Sequence, residues 1–244
     1  MNATELLDYY RASQDTYRFL SQALFKELNE EAIAALAEQD WPRETGNPHL
    51  DLGYAYLRRY FHFSAGDRRT QLACEYARVF LAAGIYGKNK SVAVPNESVF
   101  TSPEGQIMQE SRDQVLRIFA EDGFKVDPNL HEPEDHLSFE LEYLAHMSER
   151  GAQLLLDADI AGVKRNLKRQ GSFIKEHLLN WLPKLTSCAR TYAKLSFYLG
   201  LLEVATGSLE QSWDYLKEAY ESSSEDLLRW EPEEGQESTA GAAA

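Results

Sequence analysis

Apolar residues recur at helical spacing along almost the whole chain. Leu6, Tyr10, Ser13, Tyr17, Leu20, Leu24 and Leu28 form one stripe, because positions three or four apart share a helix face. Ile33, Leu36 and Ala37 mark a shorter helix over about 30–39, stopped before Pro42. Leu52, Tyr56, Tyr60 and Phe63 repeat the pattern, as do Leu72, Tyr76, Val79 and Phe80. Between Gly84 and Phe100 the periodicity stops, and Gly84, Gly87, Lys88, Lys90, Pro95 and Asn96 mark a long loop. Ser102-Pro103-Glu104 has the make-up of a helix start, with Ile107, Ser111, Val115, Ile118 and Phe119 inward and Gly123 as the stop.

A second loop, with Asp127-Pro128-Asn129 inside it, precedes a long helix predicted from about Glu134 to Leu156. A polar helix follows over about 159–169. Phe173, Ile174, His177, Leu178 and Trp181 form another, ending at Pro183. The stretch from Thr186 to Thr206 is strongly apolar, with Gly207 as its stop, and Leu209, Trp213, Leu216 and Tyr220 form the last helix. Lys90 to Val94 is the only β-branched patch, and no repeat of a solenoid period is visible. The expectation is an all-α fold, a single globular multi-helix domain of about nine or ten helices over 1–222. An N-terminal lobe (1–124) and a C-terminal lobe (133–222) would be joined by a hinge loop at 125–132. The tail, 223–244, is acidic and rich in small residues, a composition that predicts disorder.

Composition narrows the partners. The 244 residues carry a formal charge of −14 with 43% hydrophobic content, so the chain folds, repels phosphate backbones and attracts cationic segments. Cys74 and Cys188 belong to no CxxC pair or nucleophile signature and read as buried free thiols in a reducing compartment. The N-terminus lacks a basic region and an apolar run, and no segment approaches the roughly 18 apolar residues of a membrane span. A cytoplasmic protein is expected.

Candidate chemistry concentrates in Glu132-Pro133-Glu134-Asp135-His136-Leu137, followed by Glu140. Pro133, Glu134 and Asp135 suit the first turn of a helix, where proline loses no hydrogen bond and carboxylates meet the positive dipole end. That reading leaves His136 unexplained. A metal site is one alternative, with His136 and Glu140 at i, i+4 and Asp135 adjacent, as a metal-dependent all-α hydrolase would need; a general helical scaffold that binds a folded partner through its surface is another. HExxH, GxSxG and phosphate-loop patterns are absent. Tyr76, Val79 and Phe80 read as core, or as the wall of a groove beside the loop that Phe100 ends.

Three blocks resemble the TorD/DmsD family, cytoplasmic chaperones for molybdenum-containing oxidoreductases exported by the twin-arginine route. They are Glu75–Leu81 with Pro95–Phe100, Glu132–Leu137 with Glu140-Leu141, and Phe173–Leu178 with Trp181–Pro183. The resemblance implies an all-helical protein without catalytic chemistry and without a metal. It implies binding of the client's twin-arginine signal peptide and care of the apo-enzyme during insertion of the molybdenum cofactor. Asp135 and His136 match the motif positions linked to peptide recognition, with Glu134 and Glu140 beside them. Tyr76, Val79, Phe80, Pro95 and Phe100 match the groove and loop positions. Some members of that family bind guanine nucleotides weakly or form domain-swapped dimers, and the resemblance leaves both open here. Nothing in the residues names the client.

Overall fold

A computed structural model describes residues 2–81 and 93–222. Residues 84–92 of the expected Gly84–Phe100 loop and the tail, with the disorder expected of it, lie outside the described residues. Among the described residues ten α-helices follow in order: α1 (Ala3–Phe25), α2 (Glu30–Ala37), α3 (Pro48–Phe63), α4 (Arg68–Phe80), α5 (Glu97–Thr101), α6 (Glu110–Asp122), α7 (Leu137–Leu156), α8 (Ile160–His177), α9 (Leu182–Tyr192) and α10 (Phe197–Glu221). One 3-10 turn, Pro128–Leu130, sits between α6 and α7. No strand occurs among the described residues, only an isolated antiparallel bridge between Asn96 and His136. The all-α expectation holds.

The stripe of α1 is buried at Leu6, Tyr10, Tyr17, Leu20 and Leu24. It lies along α7, and α10 packs against α1, α3 and α8. Asn2 starts α1 with a reciprocal cap, accepting from the Glu5 N–H while the Glu5 carboxylate accepts from its own N–H. Helices α3 and α10 cross at glycine: a methyl group built on Gly53 would stand 2.7 Å from Val204 and 2.8 Å from the Gly200 carbonyl.

Several boundaries differ from the sequence reading, each for a local reason. Helix α6 begins at Glu110 instead of Ser102, because Gly105 (φ 61°) and Met108 (φ 63°) take left-handed backbone that no helix continues through. Ser102 instead ends α5, a short helix within the stretch read as loop. The two helices expected over 159–183 are one, α8, ending at His177, and Pro183 sits in the first turn of α9. Gly207 does not end a helix. It lies inside α10, where a side chain would strike Leu50 and Asn47 of the α3 start. On α3 the buried positions are Leu50, Gly53, Leu57 and Tyr60, while Leu52 and Phe63 face solvent. Cys74 is exposed, against the buried reading, and Cys188 is partly buried.

Candidate functional site

The motif at 132–140 does not open a helix at Pro133. Helix α7 starts at Leu137 with His136 as its cap, so Pro133, Glu134 and Asp135 precede the first turn. The reason is a second contact that captures this segment. Glu97 N–H donates to the Asp135 carbonyl (2.9 Å) and Leu137 N–H donates to the Pro95 carbonyl (2.8 Å). Residues 95–98 and 135–137 are thus stitched together across a long stretch of sequence.

Asp135 is fully buried. One carboxylate oxygen accepts from the Ser98 N–H (2.8 Å) and from the Ser98 hydroxyl. The other accepts weakly from the Asn96 amide at 3.4 Å. A carboxylate held by a backbone N–H and a hydroxyl is stable inside a protein. Ser98 also meets Ser111 of α6, hydroxyl to hydroxyl, at 3.1 Å.

His136 is also buried, between Phe25 and Phe139 (ring centroids 5.7 and 5.6 Å). Its Nδ1 accepts from the Ser138 N–H at 3.2 Å, the capping role usually filled by Asn, Asp, Ser or Thr. An Nδ1 that accepts carries no proton. Burial pushes the imidazole down from 6.5 to about 4, so it is neutral at pH 7.

Glu140 is buried, and neither carboxyl oxygen has a hydrogen-bond partner. Burial, and then the nearby Glu97 and Asp135 carboxylates, raise its pKa well above the normal range, so it is held as the neutral acid. Glu97 is tied to His177 Nδ1 (3.0 Å) and to the Asn180 amide (3.2 Å). Trp181, whose indole donates to the His177 carbonyl at 2.5 Å, stacks on Phe100 (5.7 Å, 18°).

The remaining sequence candidates divide between core and rim. Glu134 is half-buried and ion-paired with Arg112 (2.6 Å). Tyr76, Val79 and Phe80 are core residues. Tyr76 donates to the Phe25 carbonyl (2.6 Å), which links it through Phe25 to His136, and both Tyr76 and Phe80 pack on Tyr198. Pro95 is buried, and Phe100 is half-buried. Asp135 therefore joins the segment that carries Phe100, while Phe80 belongs to a separate aromatic cluster. Among the described residues no three His, Cys, Asp or Glu side chains are grouped to hold a metal ion. The ligand trio Asp135, His136 and Glu140 is not assembled, because Asp135 is bound to Ser98 and His136 is spent on its cap.

A model of the family described as "Nitrate reductase delta subunit" matches residues 47–187, from α3 to within α9. The chain belongs to this family. A Vibrio cholerae protein named chaperone protein TorD is 29% identical over 234 residues, covering 91% of this chain and 98% of the relative. Its namesake from Vibrio vulnificus is 25% identical over 224 residues (87% and 98%), and that from Escherichia coli 25% over 194 residues (77% and 88%). The likeness to TorD chaperones read from the motifs runs through nearly the full length.

Sequence reasoning did not point to a solvent-facing recess beside the motif. A recess of about 380 Å³ opens where α5, α6 and the end of α8 meet. Glu97, Glu104, Glu110 and Glu176 line it, with no basic side chain among its walls. Ser111 forms part of the wall and is the residue that Ser98 connects to Asp135. Ile107 and Met108, which precede the lining residue Gln109 in the chain, are exposed apolar side chains. These carboxylates come from four places in the chain, so no local motif marks them.

Proposed function

We propose that this TorD-type chaperone receives the twin-arginine signal peptide of a molybdenum-cofactor oxidoreductase subunit at the acidic recess. The observation that supports this is three exposed carboxylates, Glu104, Glu110 and Glu176, around one recess with no basic side chain in its lining, beside Glu97, which is tied to His177. Each guanidinium of an arginine pair needs carboxylate oxygens in a plane, and such charge-assisted bonds are the strong ones. A signal of this kind continues into an apolar run, and Ile107 and Met108 offer an apolar landing beside the recess. Asp135 and His136 act as positioning residues here: they fix residues 95–98 and, through Ser98, the wall at Ser111. Pro95 ties that segment to Leu137, Tyr76 backs His136 through Phe25, Val79 and Phe80 belong to the core behind Tyr76, Glu140 is buried near Glu97 and Asp135, and Glu134 anchors Arg112. The apo-form of the client subunit would be held in the cytoplasm until its cofactor is in place. The −14 charge speeds the encounter with a cationic segment.

Titration calorimetry with a synthetic twin-arginine peptide tests this. Binding should weaken with salt and fall sharply when the arginine pair becomes Gln-Gln. The triple variant Glu104→Gln, Glu110→Gln, Glu176→Gln should lose about tenfold or more, since a bond to a charged group contributes about 1.5–3 kcal/mol. Undiminished binding by that variant removes the recess from the proposal.

A further inference from the structure

One face of this acidic molecule is cationic. Two adjoining concavities, of about 530 and 460 Å³, share Arg59 and Phe63. Arg43 and Arg58 line the first, Arg190 and Lys194 the second, and no carboxylate lines either. Arg58 donates to the Trp41 and Pro42 carbonyls, and Arg190 pairs with Glu203 at 2.6 Å. The side chains of Arg43, Arg59 and Lys194 have no hydrogen-bond or ion-pair partner among the described residues. Phe63 stands 75% exposed between them. Unpaired cations around an exposed ring repel one another and gain from an anionic segment that also has apolar groups.

We propose that this surface takes the acidic end of the same chain, residues 223–244. That segment carries Glu225, Asp226, Glu231, Glu233, Glu234 and Glu237 against a single Arg229, with Trp230 beside them. Its charge and its aromatic residue complement the surface. Reach permits the contact. Gly200 of α10 lies against Leu57, and Gly207 against Leu50, so α10 runs away from the cationic face. From Gly200 to Glu221 the helix covers about 32 Å at roughly 1.5 Å per residue. An extended chain returns about 3.3 Å per residue, so Glu231 to Glu237 fall about 33–53 Å beyond Glu221, far enough to come back. Exposed ion pairs contribute under about 1 kcal/mol each, so the contact needs several of them together. A tether supplies an effective concentration on the order of millimolar, which makes such weak contacts sufficient.

Zero-length carbodiimide cross-linking of the full chain, mapped by mass spectrometry, tests this. An amide between the Lys194 amine and the carboxyl of Glu231, Glu233, Glu234 or Glu237 is expected in the monomer fraction, fading as salt is raised. The Arg43→Glu, Arg59→Glu variant should lose it with an unchanged circular dichroism spectrum. Replacing the four tail glutamates by Gln leaves the helical body untouched and should free Lys194 for acetylation at a higher rate. Three results overturn the proposal: a tail linked mainly to other lysines, a link indifferent to the arginine reversal, or a link found only between copies in an isotope-mixed sample.

Discussion

Replacing His136 by Asn should remove an acid sensitivity that the wild-type chain carries. Asn is a good cap acceptor, so the Ser138 N–H keeps a partner, while the titrating ring is gone. In the folded chain burial holds the imidazole near 4, against 6.5 when unfolded. Between those values the unfolded state binds a proton that the native state refuses, so stability falls as pH drops from about 6.5 towards 4. At pH 5 this one group should cost the wild type about 2 kcal/mol relative to pH 7.5. The variant forfeits ring contacts with Phe25 and Phe139, so it starts less stable, but by an amount that does not depend on pH. Urea unfolding at pH 7.5 and 5.0 gives both differences in one experiment. A His136→Asn chain that loses as much stability on acidification as the wild type would refute the reasoning, as would a His136 resonance titrating near 6.5.

Glu140→Gln should raise stability at pH 7.5 and lose that advantage as the pH falls. The folded chain keeps Glu140 protonated while the unfolded chain releases its proton above about 4.5, so the raised pKa costs stability at neutral pH; unfolding at pH 7.5 and 5.0 reads the change. Gly53→Ala should destabilise by about 1–3 kcal/mol, because the new methyl meets α10 backbone at 2.8 Å, which outweighs the helix propensity of Ala. Gly171→Ala, whose methyl would find nothing nearer than 3.9 Å, should instead stabilise by about 0.5–1 kcal/mol in the same thermal melts.

How far the sequence spoke depends on what each residue had to satisfy. The α1 stripe and the Gly123 stop were legible because they answer to local rules, a 3.6-residue period and a left-handed cap at φ 75°. Pro133-Glu134-Asp135 has the same local look as a helix start, yet the segment is claimed by residues 95–98, a tertiary contact that no local rule contains. Gly207 misled for a related reason: its missing side chain serves the approach of α3, not a chain reversal. The motif residues Asp135 and His136 were readable as special, but not as buried. The recess carboxylates were silent, since Glu97, Glu104, Glu110 and Glu176 gain meaning only when α5, α6 and α8 meet.

Helix α10 is the last described element and also the one that α1, α3, α4, α8 and α9 all lean upon. A chain made from its N-terminus cannot close its interior until residue 221 has left the ribosome. Through most of its own synthesis this helper protein therefore exposes the greasy side of α3, and for that interval it stands in the position of the immature polypeptides it serves.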